Sequence, residues 1–260
     1  LHSFSRRQRQ MCIRDSRIYC AVSSASLMRQ AIVQVQHHVS HRSAFQRRLI
    51  DQPLMRNVIA DMVLESEAAL NLSLRVARAV DNQNSNEDER SFARISTAIS
   101  KYWITKRAPY LVFEALECHG GPGYIEESIM PRLYREAPLN SIWEGSGNVM
   151  CLDVLRALQR DKNALPSLFR ELASAKGSNK NFDESFSHLK ETLQDPIDLE
   201  VEARLLTEKM ACLIQASIFI KSGEEEKISA FCNSRLGPRW SGAFGTLPTD
   251  TSFEYIMGGL

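Results

Sequence analysis

The spacing of apolar residues constrains this chain more than any other feature. From Ile18 they recur at Val22, Ala25, Met28, Ile32, Val35 and Val39, always three or four residues apart. That spacing keeps them on one face of an α-helix and scatters them over both faces of a strand. The pattern predicts one long amphipathic helix. A second helix is predicted after Asp51, which is placed to cap it with Pro53 in its first turn. It carries Leu54, Val58, Met62, Ala69, Leu72, Val76 and Ala79 and ends in the polar run at 81–89. A third starts near Arg90 with Phe92, Ile95, Ile99 and Tyr102 and meets Pro109, which is expected to kink it. It resumes through Val112, Phe113 and Leu116 to Gly120 and Gly121. After a loop, Ser146 is placed to cap a fourth helix running to about Arg160.

Four such helices in succession read as an up-and-down four-helix bundle. Shorter helical patterns follow at about 165–175 and 182–193, then a long one at about 197–220 and a last short one at about 224–233, before a tail bearing Gly and Pro. No segment alternates with period two, so the expected class is all-α. The expected division is a leader at 1–16, a helical domain at 17–160 and a smaller helical extension at 161–260. With 260 residues, 43% of them hydrophobic, the chain is long enough for a substantial core.

Net charge is +1, but the leader alone contributes +3 through Arg6, Arg7, Arg9 and Arg14 against Asp15. The leader shows no clear period, and its "MCIRDS" resembles translated sequencing-adaptor DNA joined to a truncated gene. It is expected to be non-native or disordered and takes no part in the fold reasoning. Six dispersed cysteines without a C-x-x-C pair read as reduced, cytoplasmic usage. No apolar run approaches the roughly 18 residues of a membrane span.

Chemistry-bearing residues are few. His38 and His41 share a helix face, but no acid lies between Arg17 and Ile50 to complete a metal site, and none is expected. Glycine-bearing turns at 120–123 and 145–147 adjoin helices and could cradle an anion, or simply end and begin those helices. Glu144 stands beside Ile142, Trp143 and glycine. Apolar surroundings disfavour the charged form of a carboxylate and so suit a general base. A glutamate just before a helix equally suits the role of a dipole or capping charge.

The runs "HRSAFQRRLIDQPLMRNVIADM" and "LECHGGPGYIEESIMPRLYREAPLNSIWEGSGNVMCLDVLRAL", with their separation, resemble the C-terminal helical domain of acyl-CoA dehydrogenases. Within that family "EESIMPRLYREAPLNSIWEGSGN" is most similar to the DNA alkylation response branch. The resemblance covers about Arg17 to Arg160. It implies a four-helix domain packing FAD and an acyl-CoA tail against a β domain and a neighbouring subunit. Neither the family's β domain nor its N-terminal helical domain is matched, so the chain is expected to be a fragment, inactive alone.

Carried over by motif, Glu144 falls on the family's base, which removes the α-proton of an acyl-CoA while FAD accepts the β-hydride. The resemblance assigns Arg42, Phe45, Glu117, Gly120, Gly121, Ile142, Trp143, Gly145, Ser146, Gly147 and Asn148 to the cofactor. Arg42 and Phe45 match an R-x-x-F-G element that reaches the FAD of a partner subunit, which implies a homo-oligomer, dimer or tetramer. Gln46 stands where that element has glycine, and Glu117 where most members have glutamine.

An alternative reading is a DNA-associated alkylation stress protein with residual dehydrogenase activity. From Val149 onward there are 13 Lys and Arg against 16 Asp and Glu, so duplex DNA binding is expected to be weak. A local patch of Arg156, Arg160, Lys162 and Arg170 is the best candidate for it. A third reading, a helical interaction module, makes the motifs coincidental.

Overall fold

The computed structural model describes residues 2–194 and 198–258. Its core is built by α1 (His2–His41), α2 (Pro53–Asn82), α3 (Glu87–His119) and α6 (Gly147–Arg160). Two short helices, α4 (Gly121–Tyr124) and α5 (Met130–Glu136), occupy the stretch expected to be loop. Then come α7 (Ala164–Ala173), α8 (Lys180–Gln194), α9 (Leu199–Ser222), α10 (Glu225–Phe231) and α11 (Phe253–Met257). The all-α reading stands. The expected start of α9 at Ile197 lies outside the described residues.

Helix α3 is the hub, packing against α1, α2 and α6 and also against α7 and α9. Its sequence explains the role: Phe92, Ile95, Ile99, Ile104, Leu111 and Val112 are all buried and are distributed around the helix rather than along one stripe. Asn86 caps it by accepting from the backbone N–H groups of Asp88 and Glu89 at 2.9 and 3.2 Å. Pro109 sits inside α3 without ending it.

Several local expectations are corrected. Helix α1 begins at His2 rather than near Ile18, so residues 2–16 continue it. Val22 is exposed, and Ala21 takes its place in the core. Asp51 does not cap α2, because its carboxylate is held by Arg48 at 3.0 and 3.3 Å; Gln52 occupies the cap position, with Pro53 in the first turn as expected. Strands are present after all: Ser43–Ala44 (β1) and Arg47–Arg48 (β2) form a minimal hairpin, too short to show alternation. Its two-residue turn puts Phe45 at φ 53° and Gln46 at φ 64°, the left-handed geometry that hairpin turns require and that glycine or asparagine adopts most easily.

The extension is not a separate body. Its α9 packs on α2, α3 and α6, and its buried side chains join those of the bundle in one core. A charged network lies at the seam. Arg235, 1% exposed, bonds Asp61 and reaches Glu65 at 2.9 Å, while Arg107 lies 3.2 Å from Glu65. Two cations face two acids, the balance that buried charge requires. Burial pushes the Glu65 carboxyl up, but Arg107 and Arg235 more than offset this and hold it below the usual range. The tail closes over the network: Gly245 and Thr246 donate their backbone N–H to Asp61 at 3.0 and 3.3 Å, and Arg107 donates to the Gly242 carbonyl at 3.0 Å.

Candidate active site

Glu144 lies on the turn between a 3-10 segment at Leu139–Ser141 and α6. Its φ is 58°, in the left-handed region, and Gly145 follows at 109°. A side chain at that φ costs roughly 1–2 kcal/mol, so neighbouring contacts must hold the turn. Three cationic contacts do. Lys101 of α3 donates through Nζ to the carbonyls of Trp143 and Gly145 at 2.8 and 2.5 Å. Arg17 of α1 donates through Nε to the carbonyl of Glu144 itself at 3.1 Å. Three successive carbonyls thus meet positive charge. Asn140 anchors the same turn, accepting from Trp143 Nε1 at 3.1 Å and donating to Ser24 Oγ at 3.2 Å.

The expectation of apolar surroundings for Glu144 is corrected. Ile142 is 63% and Trp143 51% exposed, and Glu144, next to Trp143, is exposed as well. They form a rim rather than a pocket around it. Nor does Ser146 cap α6 with its hydroxyl, although it occupies the cap position.

Beside this turn, α1, α3 and α6 enclose a cavity of about 1100 Å³ whose wall carries Arg14, Arg17, Arg90, Arg94, Arg156 and Arg160. Asp153 and Asp161 are the acids facing it. Asp153 organises the cations, meeting Arg17 at 2.7 Å, Arg94 at 2.9 Å and Arg156 at 3.3 Å. Burial raises its carboxyl, and Arg94 and Arg17 reverse the shift and hold it below the usual range. Arg14 Nε is buried with no hydrogen-bond partner among the described residues. Four positive charges remain in excess on the wall, which suits a ligand bearing phosphates. Arg17 belongs to both the cavity and the turn.

The residues assigned by motif separate into two groups. Ile142, Trp143, Glu144, Gly145, Ser146, Gly147 and Asn148 lie on the turn or the first residues of α6, and Asn148 accepts from Arg204 Nε at 2.8 Å. Gly147 is buried so closely that a Cβ would meet Lys106 at 3.0 Å and Tyr102 at 3.3 Å. Arg42, Phe45, Glu117, Gly120 and Gly121 lie at the far ends of α1 and α3. Arg17 and Arg42 are 25 residues apart on or just past one helix, about 37 Å. Those far ends are joined by His38 and His119, whose rings meet at 4.8 Å with a 33° tilt. Phe45 is 92% exposed, Arg42 and Glu117 are exposed, and Gly120 takes φ 62° at the end of α3.

Sequence reading missed Lys101, Arg17, Arg94 and Asp153. Arg14 was set aside with the leader. The expected basic patch is also revised: Arg170 is engaged by Asp88, and Arg156 and Arg160 face the cavity. Among the described residues no group of three His, Cys, Asp or Glu is arranged to hold a metal ion, and His41 stacks on His37 rather than pairing with His38. No described helix is long and apolar enough to cross a membrane.

Residues 7–159 match the family model "Acyl-CoA dehydrogenase, C-terminal domain". The chain is 39% identical over 224 residues to "Putative acyl-CoA dehydrogenase AidB" of Escherichia coli, covering 86% of this chain and 41% of that protein. It is 30% identical over 185 residues to "Acyl-CoA dehydrogenase family member 11" of Caenorhabditis elegans, covering 70% and 30%. Among solved structures it is similar to Caenorhabditis elegans ACDH-11 in complex with C11-CoA, with TM-score 0.76, 24% identity and coverage of 90% and 45%. The chain therefore spans less than half the length of the proteins it matches. Motif, fold and sequence agree that it belongs to the acyl-CoA dehydrogenase family, of which it carries the C-terminal helical domain.

Proposed function

We propose that the chain supplies the base and the phosphate-binding wall for α,β-dehydrogenation of an acyl-CoA thioester by a flavoprotein of its relatives' length. One observation carries this reading: a carboxylate is presented on a left-handed turn pinned by Lys101 and Arg17, and Arg17 also lines a cavity walled by six arginines. A thioester of coenzyme A has the matching chemistry. Its phosphates meet the guanidinium wall, and its acidic α-carbon can be brought to Glu144.

In that reading Glu144 accepts the α-proton on its carboxylate. Trp143 and Ile142 form an apolar rim that excludes water from the reacting carbons once substrate covers them. FAD, when bound, supplies acceptance of the β-hydride. The residues present suit it. Arg42 lies just before the hairpin and Phe45 on its turn, where the described residues leave Phe45 uncovered, as expected of an element that reaches a cofactor in a second subunit. The two-group separation supports the same division, one group serving the chain's own site and the other a partner's. Glu117 is exposed and free to face away from a pyrophosphate.

The test is Glu144→Gln in the FAD-loaded protein of full relative length. Flavin reduction by an acyl-CoA should slow by about 100-fold or more, the loss typical of a general base, with FAD content unchanged. Reduction at the original rate would remove Glu144 from the reaction.

A second reading rests on the same wall. Six clustered arginines also suit a nucleic-acid backbone, the partner that the resemblance to the alkylation response branch implies. That reading requires affinity for duplex DNA that falls steeply with salt, and competition between DNA and coenzyme A for the cavity.

A further inference from the structure

Lys101 pins the turn in the reading above without touching the Glu144 carboxylate, and it is the most confined charge near Glu144. Its side chain is fully buried in the middle of α3, and no carboxylate pairs with it among the described residues. Its ammonium donates to two backbone carbonyls, those on either side of Glu144. Burying an ammonium costs several kcal/mol, and methionine would fill the same space without that cost. A charge kept under those terms must do something that packing does not.

We propose that Lys101 is a positioning residue for Glu144, gathering the carbonyls of Trp143 and Gly145 onto one nitrogen so that the carboxylate is presented in a single place. The proposal rests on the reading of Glu144 as the base. Carbonyls two residues apart can meet one nitrogen only if the residue between them turns the chain. Here that residue is Glu144, at φ 58°. Glycine would adopt this turn without strain, so a glutamate held there points to a carboxylate wanted at that spot. If Glu144 were only a charge at the mouth of α6, the dipole would be served equally well by ordinary backbone. Arg17 completes the grip by holding the Glu144 carbonyl, and Asp153 fixes Arg17 in turn. Burial pushes the Lys101 ammonium below the usual lysine range; Cys20 and Glu144 oppose the shift and Arg17 adds to it.

The test is a cycle of Lys101→Met, Glu144→Gln and the double variant, scored as flavin reduction per bound FAD. Lys101→Met should reduce about 100-fold more slowly, the scale of loss from misplacing a catalytic group by an ångström. The acyl-CoA concentration for half-maximal rate should change less than twofold. The double variant should be no slower than Glu144→Gln alone, because Lys101 acts only through that carboxylate. A wild-type rate in Lys101→Met, or losses that multiply in the double variant, would overturn the proposal. If Lys101→Met fails to retain FAD, Lys101→Arg enters the same cycle and is judged by the same non-additivity. In the 260-residue chain, Lys101→Met should also speed amide exchange at least tenfold at Trp143 and Met150, whose N–H groups donate to the Leu139 and Ser146 carbonyls on either side of the turn, and unchanged exchange would contradict the clamp. If Glu144→Gln alone leaves the rate intact, the base reading fails, whereas the exchange measurement still judges the clamp.

Discussion

Two of the molecule's charged clusters, the seam and the surroundings of Glu144, both rest on buried cations and differ in what surrounds them. At the seam, Arg107 and Arg235 face Asp61 and Glu65, all nearly inaccessible to water, and the tail at 242–246 seals the remaining acceptors. Around Glu144, by contrast, cations meet backbone carbonyls and an open cavity, and positive charge is left over. The first cluster is closed and balanced, so its energy goes into holding the extension on the bundle. The second is open, with a strained residue at its edge, and unspent charge and strain are what a binding and reacting site needs.

The largest expected effect falls on the closed cluster. Glu65→Gln leaves Arg107 and Arg235 with half their counter-charge, and thermal unfolding of the chain should report a loss of about 3–5 kcal/mol. Equal stability to wild type would mean the seam is not the balanced network described.

Acid should break the same cluster. Glu65 has a lower affinity for protons folded than unfolded, so its contribution is present above the unfolded carboxylate range near pH 4 and is lost as pH falls further. Asp153, depressed for the same reason, adds to that loss. Denaturant melts at pH 7 and pH 3 should show the chain weaker at pH 3, and Glu65→Gln should flatten the difference. A pH dependence unchanged in that variant would contradict the assignment.

On the open side, Arg94→Ala should weaken coenzyme A binding in the full-length protein by roughly ten- to hundredfold, about 1.5–3 kcal/mol for one charged hydrogen bond. Calorimetry at two salt concentrations should also show a smaller salt dependence than wild type. Binding indifferent to Arg94 would remove the cavity from substrate recognition.

The smallest effect carries the sharpest contrast. Glu144→Gly relieves the left-handed strain and adds unfolded-state freedom, so stability should rise by about 0.5 kcal/mol, whereas every change at Asp61, Glu65, Arg107 or Arg235 should lower it. A loss on Glu144→Gly would show that the turn is not strained.

The helices were legible because their apolar stripes recur over many turns, and Met28, Ile32 and Val35 landed in the core as the spacing required. Helices α4 and α5 were hidden by their brevity and by Pro122 and Pro131, which read as loop signals. Asp51 failed as a cap because Arg48 competes for its carboxylate. The motif placed Glu144 on its turn, but the apolar neighbours that suggested a pocket turned out to be a rim. Lys101, Asp61 and Glu65 were invisible for one reason: a charged residue within a helical stripe reads as solvent-facing, and only tertiary packing reveals that its partners come from 40 to 175 residues away.

The α-proton of the bound thioester is the most direct witness to the role of Glu144. In deuterium oxide, the FAD-loaded protein of full relative length should exchange the α-hydrogens of a bound acyl-CoA analogue that cannot give up a β-hydride, followed by mass spectrometry. Glu144→Gln should bind the analogue as tightly and exchange it at least about 100-fold more slowly. Exchange at the wild-type rate in that variant would contradict the central claim that Glu144 is the base.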